Sequence, residues 1–174
     1  GVHQYLGPLI IGRVHDPNKP AGVNGNGKPV RIKFTNMLPI STDPANKLGL
    51  PVDTTVMGAG MGPIAGQMFT ENRISIPHLH GGRTPWISDG TPHQWTVPAA
   101  EVTSYMKGAS AQNVPDMPDP GPGSITFFYS NQQSARLMFY HDHAYGITRL
   151  NVYAGEAAPY LVQDPVEQGP VAPG

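Results

Sequence analysis

Two His-x-His pairs constrain this chain more than any other feature of it. Leu137, Phe139, His141 and His143 recur at a period of two, and so do Ile74, Ile76, His78 and His80. A period of two is the repeat of a β-strand, whose alternate side chains share a face. Each run is therefore expected to be a strand whose apolar stripe faces the core and ends in two imidazoles. Side chains two apart on a strand are rooted roughly 7 Å from each other. They can clamp one ion between them or serve neighbouring ions of a cluster. Neutral imidazole binds copper, zinc, iron and nickel. The expected metal ligands are His78, His80, His141 and His143. Asp142 points to the opposite face of its strand and is not expected to be a ligand.

The rest of the chain is built to support strands. At 174 residues it is the size of one domain with a substantial core. Its 21 glycines, 20 prolines and 13% charged residues point to a loop-rich β protein rather than to helices. A net charge of -1 gives no electrostatic case for binding nucleic acid or an anionic membrane. There is no cysteine, which excludes from this chain a disulfide, a thiolate zinc site and a blue copper centre of the His-Cys type.

In chain order, Leu9-Ile10-Ile11 reads as an early strand. Asn24-Gly25-Asn26-Gly27 reads as a hairpin turn into a half-buried strand, in which Val30, Ile32 and Phe34 alternate with Arg31, Lys33 and Thr35. Residues 36–72 have no sustained period and are expected to form a long loop insertion. Met57, Met61 and Met68 lie within it and are read as flexible packing in preference to Cu(I) ligands. Trp95, Val97 and Val102 are expected to begin a further strand. Ile125, Phe127 and Tyr129 mark another, whose expected hairpin partner is 134–143 across Asn131-Gln132-Gln133. A helical turn over 144–150 and a strand over 159–162 follow. Residues 1–163 are expected to form one domain and 164–174 a Pro/Gly linker to a missing domain. Several short strands with long loops add up to an all-β sandwich. Asp89 suits the Ser88-Asp89-Gly90 turn by itself. His93 is read as a supporting or surface residue, and His3 and His15 as solvated.

Three stretches resemble a known family: His78-Leu79-His80-Gly81, the following Ser88-Asp89-Gly90, and Tyr140-His141-Asp142-His143-Ala144 continuing through Thr148-Arg149-Leu150-Asn151-Val152-Tyr153-Ala154-Gly155. Together they look like the first cupredoxin domain of a bacterial laccase-like multicopper oxidase. The resemblance implies a Greek-key cupredoxin sandwich. It also implies an enzyme that takes single electrons from phenols, pigments or metal ions and reduces dioxygen to water. Copper would be held in a trinuclear cluster shared with another domain: His78 on the type 2 ion, His80 and His141 sharing one type 3 ion, and His143 on the other. Asp89 would be the outer-shell carboxylate that handles protons. The His-Cys-His and His-x-x-His-x-His motifs of the family's last domain are absent, so the type 1 site and the other cluster ligands must come from the remaining cupredoxin domains. These would be supplied as a C-terminal fragment or a second chain, and this chain alone is expected to be inactive. A periplasmic or extracellular location is implied by the same resemblance.

Two further readings compete. A self-contained four-histidine module could store or deliver copper. A superoxide dismutase-like barrel also uses His-x-His, but it ordinarily carries a disulfide, which the lack of cysteine forbids.

Overall fold

The computed structural model describes residues 5–14, 27–40, 50–70 and 72–164, which form seven strands, one short helix and long connections. The strands are β1 (Ile10–Val14), β2 (Gly27–Lys28), β3 (Val30–Thr35), β4 (His78–His80), β5 (Ser124–Tyr129), β6 (Arg136–His141) and β7 (Ala157–Gln163). The helix, α1, is Thr148–Tyr153. One sheet runs β2-β1-β7-β6-β4, with β1 parallel to β7 and the other pairs antiparallel. The second sheet is the antiparallel pair β3-β5. Between the sheets lie Ile74, Ile76, Leu79, Ile125, Phe127, Tyr129, Met138, Tyr140, Tyr160 and Val162, with Val30, Ile32 and Phe34 packed against them. The result is a cupredoxin-like β-sandwich; the alternating strands imply the sandwich and the resemblance its cupredoxin form. No helix among the described residues is long and apolar enough to cross a membrane.

A second apolar cluster, Ala59, Trp95, Val97, Ala144 and Ile147, sits beneath the loops at one end, with Phe69 and Tyr105 against it. Trp95 and Val97 are thus core residues, but the expected strand there shrinks to Thr96, which bridges Ile74 and Lys107. Val102 is almost fully exposed.

Three expectations are corrected by the packing. The hairpin between β5 and β6 does not form. β5 pairs with β3, and β6 pairs with β4 and β7 in the other sheet, so residues 130–135 cross between sheets. Asn131 makes the corner, at φ 52, with its amide donating to Lys28 O (2.8 Å) and its Oδ1 accepting from the Tyr160 hydroxyl (2.7 Å). The second correction concerns faces. Met138 and Tyr140 point into the core, while Leu137 and Phe139 are 70% and 44% exposed. The histidine-bearing stripe of β6 therefore lies on the outer face of the sheet. On the other motif, Ile76 and Leu79 are both core residues, so the alternation changes phase across Pro77 and sends His78 and His80 outward too. The third correction is that Met57, Met61 and Met68 are exposed rather than packed.

His3, His15, Asn24 to Asn26, part of the 36–72 insertion and the tail from residue 165 onward lie outside the described residues.

Candidate metal centre

Strand pairing is what assembles the histidines. β4 and β6 are antiparallel neighbours with His78 opposite His141 and His80 opposite Phe139. Directly opposed side chains share a face at about 5 Å between Cβ atoms, so two motifs 61 residues apart along the chain converge at one sheet end. The rings of His78 and His143 stack with centroids 4.4 Å apart; His78 and His141 are 5.1 Å apart, and His80 and His141 5.4 Å. Nδ1 of His80 faces Nε2 of His141 at 3.2 Å. One ligand nitrogen each from His78, His80 and His141 falls within 4.8 Å of the others. His80 is exposed, so the cluster opens outward.

Backbone carbonyls orient two of the rings. His78 Nδ1 is 2.6 Å from the Asp89 carbonyl, and His141 Nδ1 is 2.5 Å from the Asp142 carbonyl. Each carbonyl can only accept, so Nδ1 carries the proton in both rings and Nε2 keeps its lone pair, which on His141 faces His80 Nδ1. Nδ1 of His143 is buried near the Gly90 backbone but without a hydrogen bond of good geometry. Burial, aided by the neighbouring imidazoles, lowers the pKa of His78, His141 and His143. These rings are neutral at neutral pH, with lone pairs available.

Asp89 caps the short 3-10 turn Trp86–Ser88 and accepts a hydrogen bond from the Thr84 hydroxyl (3.1 Å). Its Oδ2 lies 3.9 Å from His78 Nδ1. Gly90, at φ +68, follows because the loop closes directly onto His78. A Cβ there would lie 2.9 Å from the His78 Cα.

The support that sequence reading missed lies behind the rings. Asp142 does point away from its neighbouring histidines, and it is fully buried, accepting from Ser75 N (2.6 Å), Ala144 N (2.9 Å) and Asn151 Nδ2 (3.0 Å). Asp142 thereby ties the segment leading into β4, the turn after the second motif, and α1 into one unit. His143 N donates to Ser75 O (3.2 Å) across the same junction. Burial raises the Asp142 pKa to about 6, opposed by those hydrogen bonds and by Arg73. Arg73 is buried between Phe69 and Trp95, each 4.7 Å from its guanidinium, and bonds the carbonyls of Thr70, Gly58 and Tyr145. The spacing Arg73-x-Ser75 before an Ile-Pro-His run carries no periodic signal of this role. Only the apposition of the two strands reveals it. His93 is exposed against Tyr145 (5.2 Å) and stands outside the cluster.

The donor set suits copper on its own chemistry: four imidazoles, three of them held neutral, with ring nitrogens gathered on an open face. Comparison with known proteins points the same way. The chain is 35% identical over 169 residues to a laccase of Bacillus stratosphericus, covering 96% of this chain and 28% of that protein. It is 34% identical over 141 residues to a laccase of Bacillus subtilis strain 168, covering 80% and 22%. A 47-residue stretch is 51% identical to a bilirubin oxidase of Albifimbria verrucaria, covering 26% and 8%. The chain spans about a quarter of the length of the two laccases. No family model matches it.

Proposed function

Because this chain is a cupredoxin domain of the laccase-like multicopper oxidase kind, we propose that it supplies half of a copper cluster at which a larger enzyme reduces dioxygen to water. The electrons come from phenols, pigments or low-valent metal ions. The observation that carries this reading is the group of imidazoles gathered at the β4–β6 end on the face away from the sandwich core, half-buried or buried except at His80, where it reaches solvent. Copper, when bound, supplies the one-electron chemistry. His80 and His141, whose nitrogens face each other at 3.2 Å, would hold one type 3 ion; His143 would hold the other, and His78 the type 2 ion. The carbonyls of Asp89 and Asp142 hold His78 and His141 in the tautomer a metal needs. Asp89 would orient water near His78 and pass protons toward the cluster.

The remaining ligands and the electron entry site belong to further cupredoxin domains, with 1–163 as one domain and 164–174 as the linker toward them. Export to the periplasm or cell exterior is part of the same proposal.

A second reading rests on the group of His78, His80 and His141, which is tight enough to hold a single ion. On that reading the chain stores or delivers copper. The two readings part on stoichiometry. As half of a cluster, the isolated chain should hold copper loosely and stay without the intense blue of a thiolate site, because it has no cysteine. It should gain phenol oxidation and oxygen uptake only with the polypeptide that completes the cluster. One tightly bound copper per isolated chain, released only to an acceptor protein, would favour the carrier. A blue, active preparation of this chain alone would overturn the oxidase reading.

A further inference from the structure

The loop that precedes the first histidine motif carries a second group of soft donors. Residues 60–69 form a small hairpin. Gly62 N donates to Gln67 O (3.0 Å), Phe69 N to Gly60 O (2.6 Å), and Met61 stands opposite Met68 in an antiparallel bridge. Gly66, at φ +81, makes the turn. Phe69 points inward, its ring 5.0 Å from Trp95, so the adjacent Met68 and its opposite number Met61 must point outward. Directly opposed residues place their Cβ atoms about 5 Å apart, well within the reach of two thioethers to one ion. On the other side of Met61, its carbonyl accepts from Gly58 N (2.6 Å) and its own N–H donates to Thr54 O (3.2 Å). That brings the Met57 segment alongside. The three side chains are 51%, 47% and 57% exposed.

The other methionines differ. The sulfurs of Met106, Met117 and Met138 accept from Thr103 N, Arg31 and Gln133. Met37 is 79% exposed and belongs to no such group.

We propose that Met57, Met61 and Met68 form a site for a soft univalent cation, cuprous copper or silver. Neutral, polarisable thioethers select Cu(I) over the harder divalent ions that imidazole and carboxylate accept. Val56 and Ile64 on the same loop are also exposed and apolar. The site is fixed to the scaffold, because Gly58 packs against Tyr145 and Gly146 and its carbonyl accepts from Arg73. It therefore sits on the loop braced against the turn that follows His143. The proposal is independent of the role of the histidines.

The test labels the methionine methyl groups of the protein with carbon-13 and titrates Ag(I), a redox-silent substitute for Cu(I), in chloride-free buffer. The methyl resonances of Met57, Met61 and Met68 should move together and saturate at one Ag(I) per chain, while Met37 stays in place. Met61→Leu, which keeps an exposed apolar side chain and the hairpin, should weaken that binding at least tenfold. Three unmoved resonances, equal movement of Met37, or unchanged binding in Met61→Leu would each overturn the site. Movement on adding a partner polypeptide but not Ag(I) would also overturn it, leaving an apolar docking face instead.

Discussion

Glu156→Leu should stabilise this protein, which few substitutions do. Both carboxylate oxygens of Glu156 are buried without a hydrogen-bond partner. Burial, reinforced by the nearby Asp142 carboxylate, raises its pKa well above the usual glutamate range. Leaving a buried polar group unpaired costs about 1–3 kcal/mol. A leucine of similar volume removes that cost together with the repulsion from Asp142. For a chain of this length 1 kcal/mol shifts Tm by about 2–4 °C, so the gain should be roughly 2–12 °C at neutral pH. The pH dependence sharpens the test. A group whose folded pKa is raised contributes stability that is complete below its unfolded value, near about 4.3 for glutamate. That contribution is lost as pH rises through the folded value. The advantage of Glu156→Leu over the parent protein should therefore grow from pH 5 to pH 8.5. The histidines titrate in both proteins, so the difference reports Glu156 together with its coupling to Asp142. Thermal unfolding followed by circular dichroism at three pH values measures it. A variant less stable than the parent, or a difference that does not change with pH, would refute the reasoning.

Asp142→Ala should cost about 3–5 kcal/mol in chemical denaturation, because it strands the Ser75, Ala144 and Asn151 donors and leaves buried Arg73 without a countercharge; a loss under about 1 kcal/mol would show that water replaces the carboxylate. Gly90→Ala should destabilise the fold by about 1–2 kcal/mol through left-handed strain and should displace His78, read as weaker copper binding in a metal titration. Leu137→Ser, on the outer face of β6, should change stability by less than about 0.5 kcal/mol, whereas Phe127→Ala in the core should cost about 3–5 kcal/mol; equal costs would mean that the face assignment of β6 is wrong.

The period of two in Val30 to Phe34, in Ile125 to Tyr129 and in Leu137 to His141 was enough to read strands and a sandwich, and the two His-x-His pairs to read the gathering of four imidazoles; the run from Ile74 is a strand only over His78–His80, its alternation broken at Pro77. Local alternation is a property of the backbone, and it survives whatever the strand later packs against. Alternation does not say which of the two faces is buried. Both faces of β6 carry large apolar side chains, and only the arrival of β5 and β3 across Met138 and Tyr140 turned Leu137, Phe139 and His141 outward. The same limit hid the partner of β5, because a three-residue connection fits a hairpin or a crossing between sheets equally well. It took the Asn131 bonds to Lys28 and Tyr160 to make it a corner. Asp142 looked idle in sequence because its donors come from residue 75, from residue 144 and from α1. Which residues could bind a metal was written in the order of the chain. Which way they face, and what holds them there, depended on contacts between residues far apart in sequence, which only the packed sheets bring together.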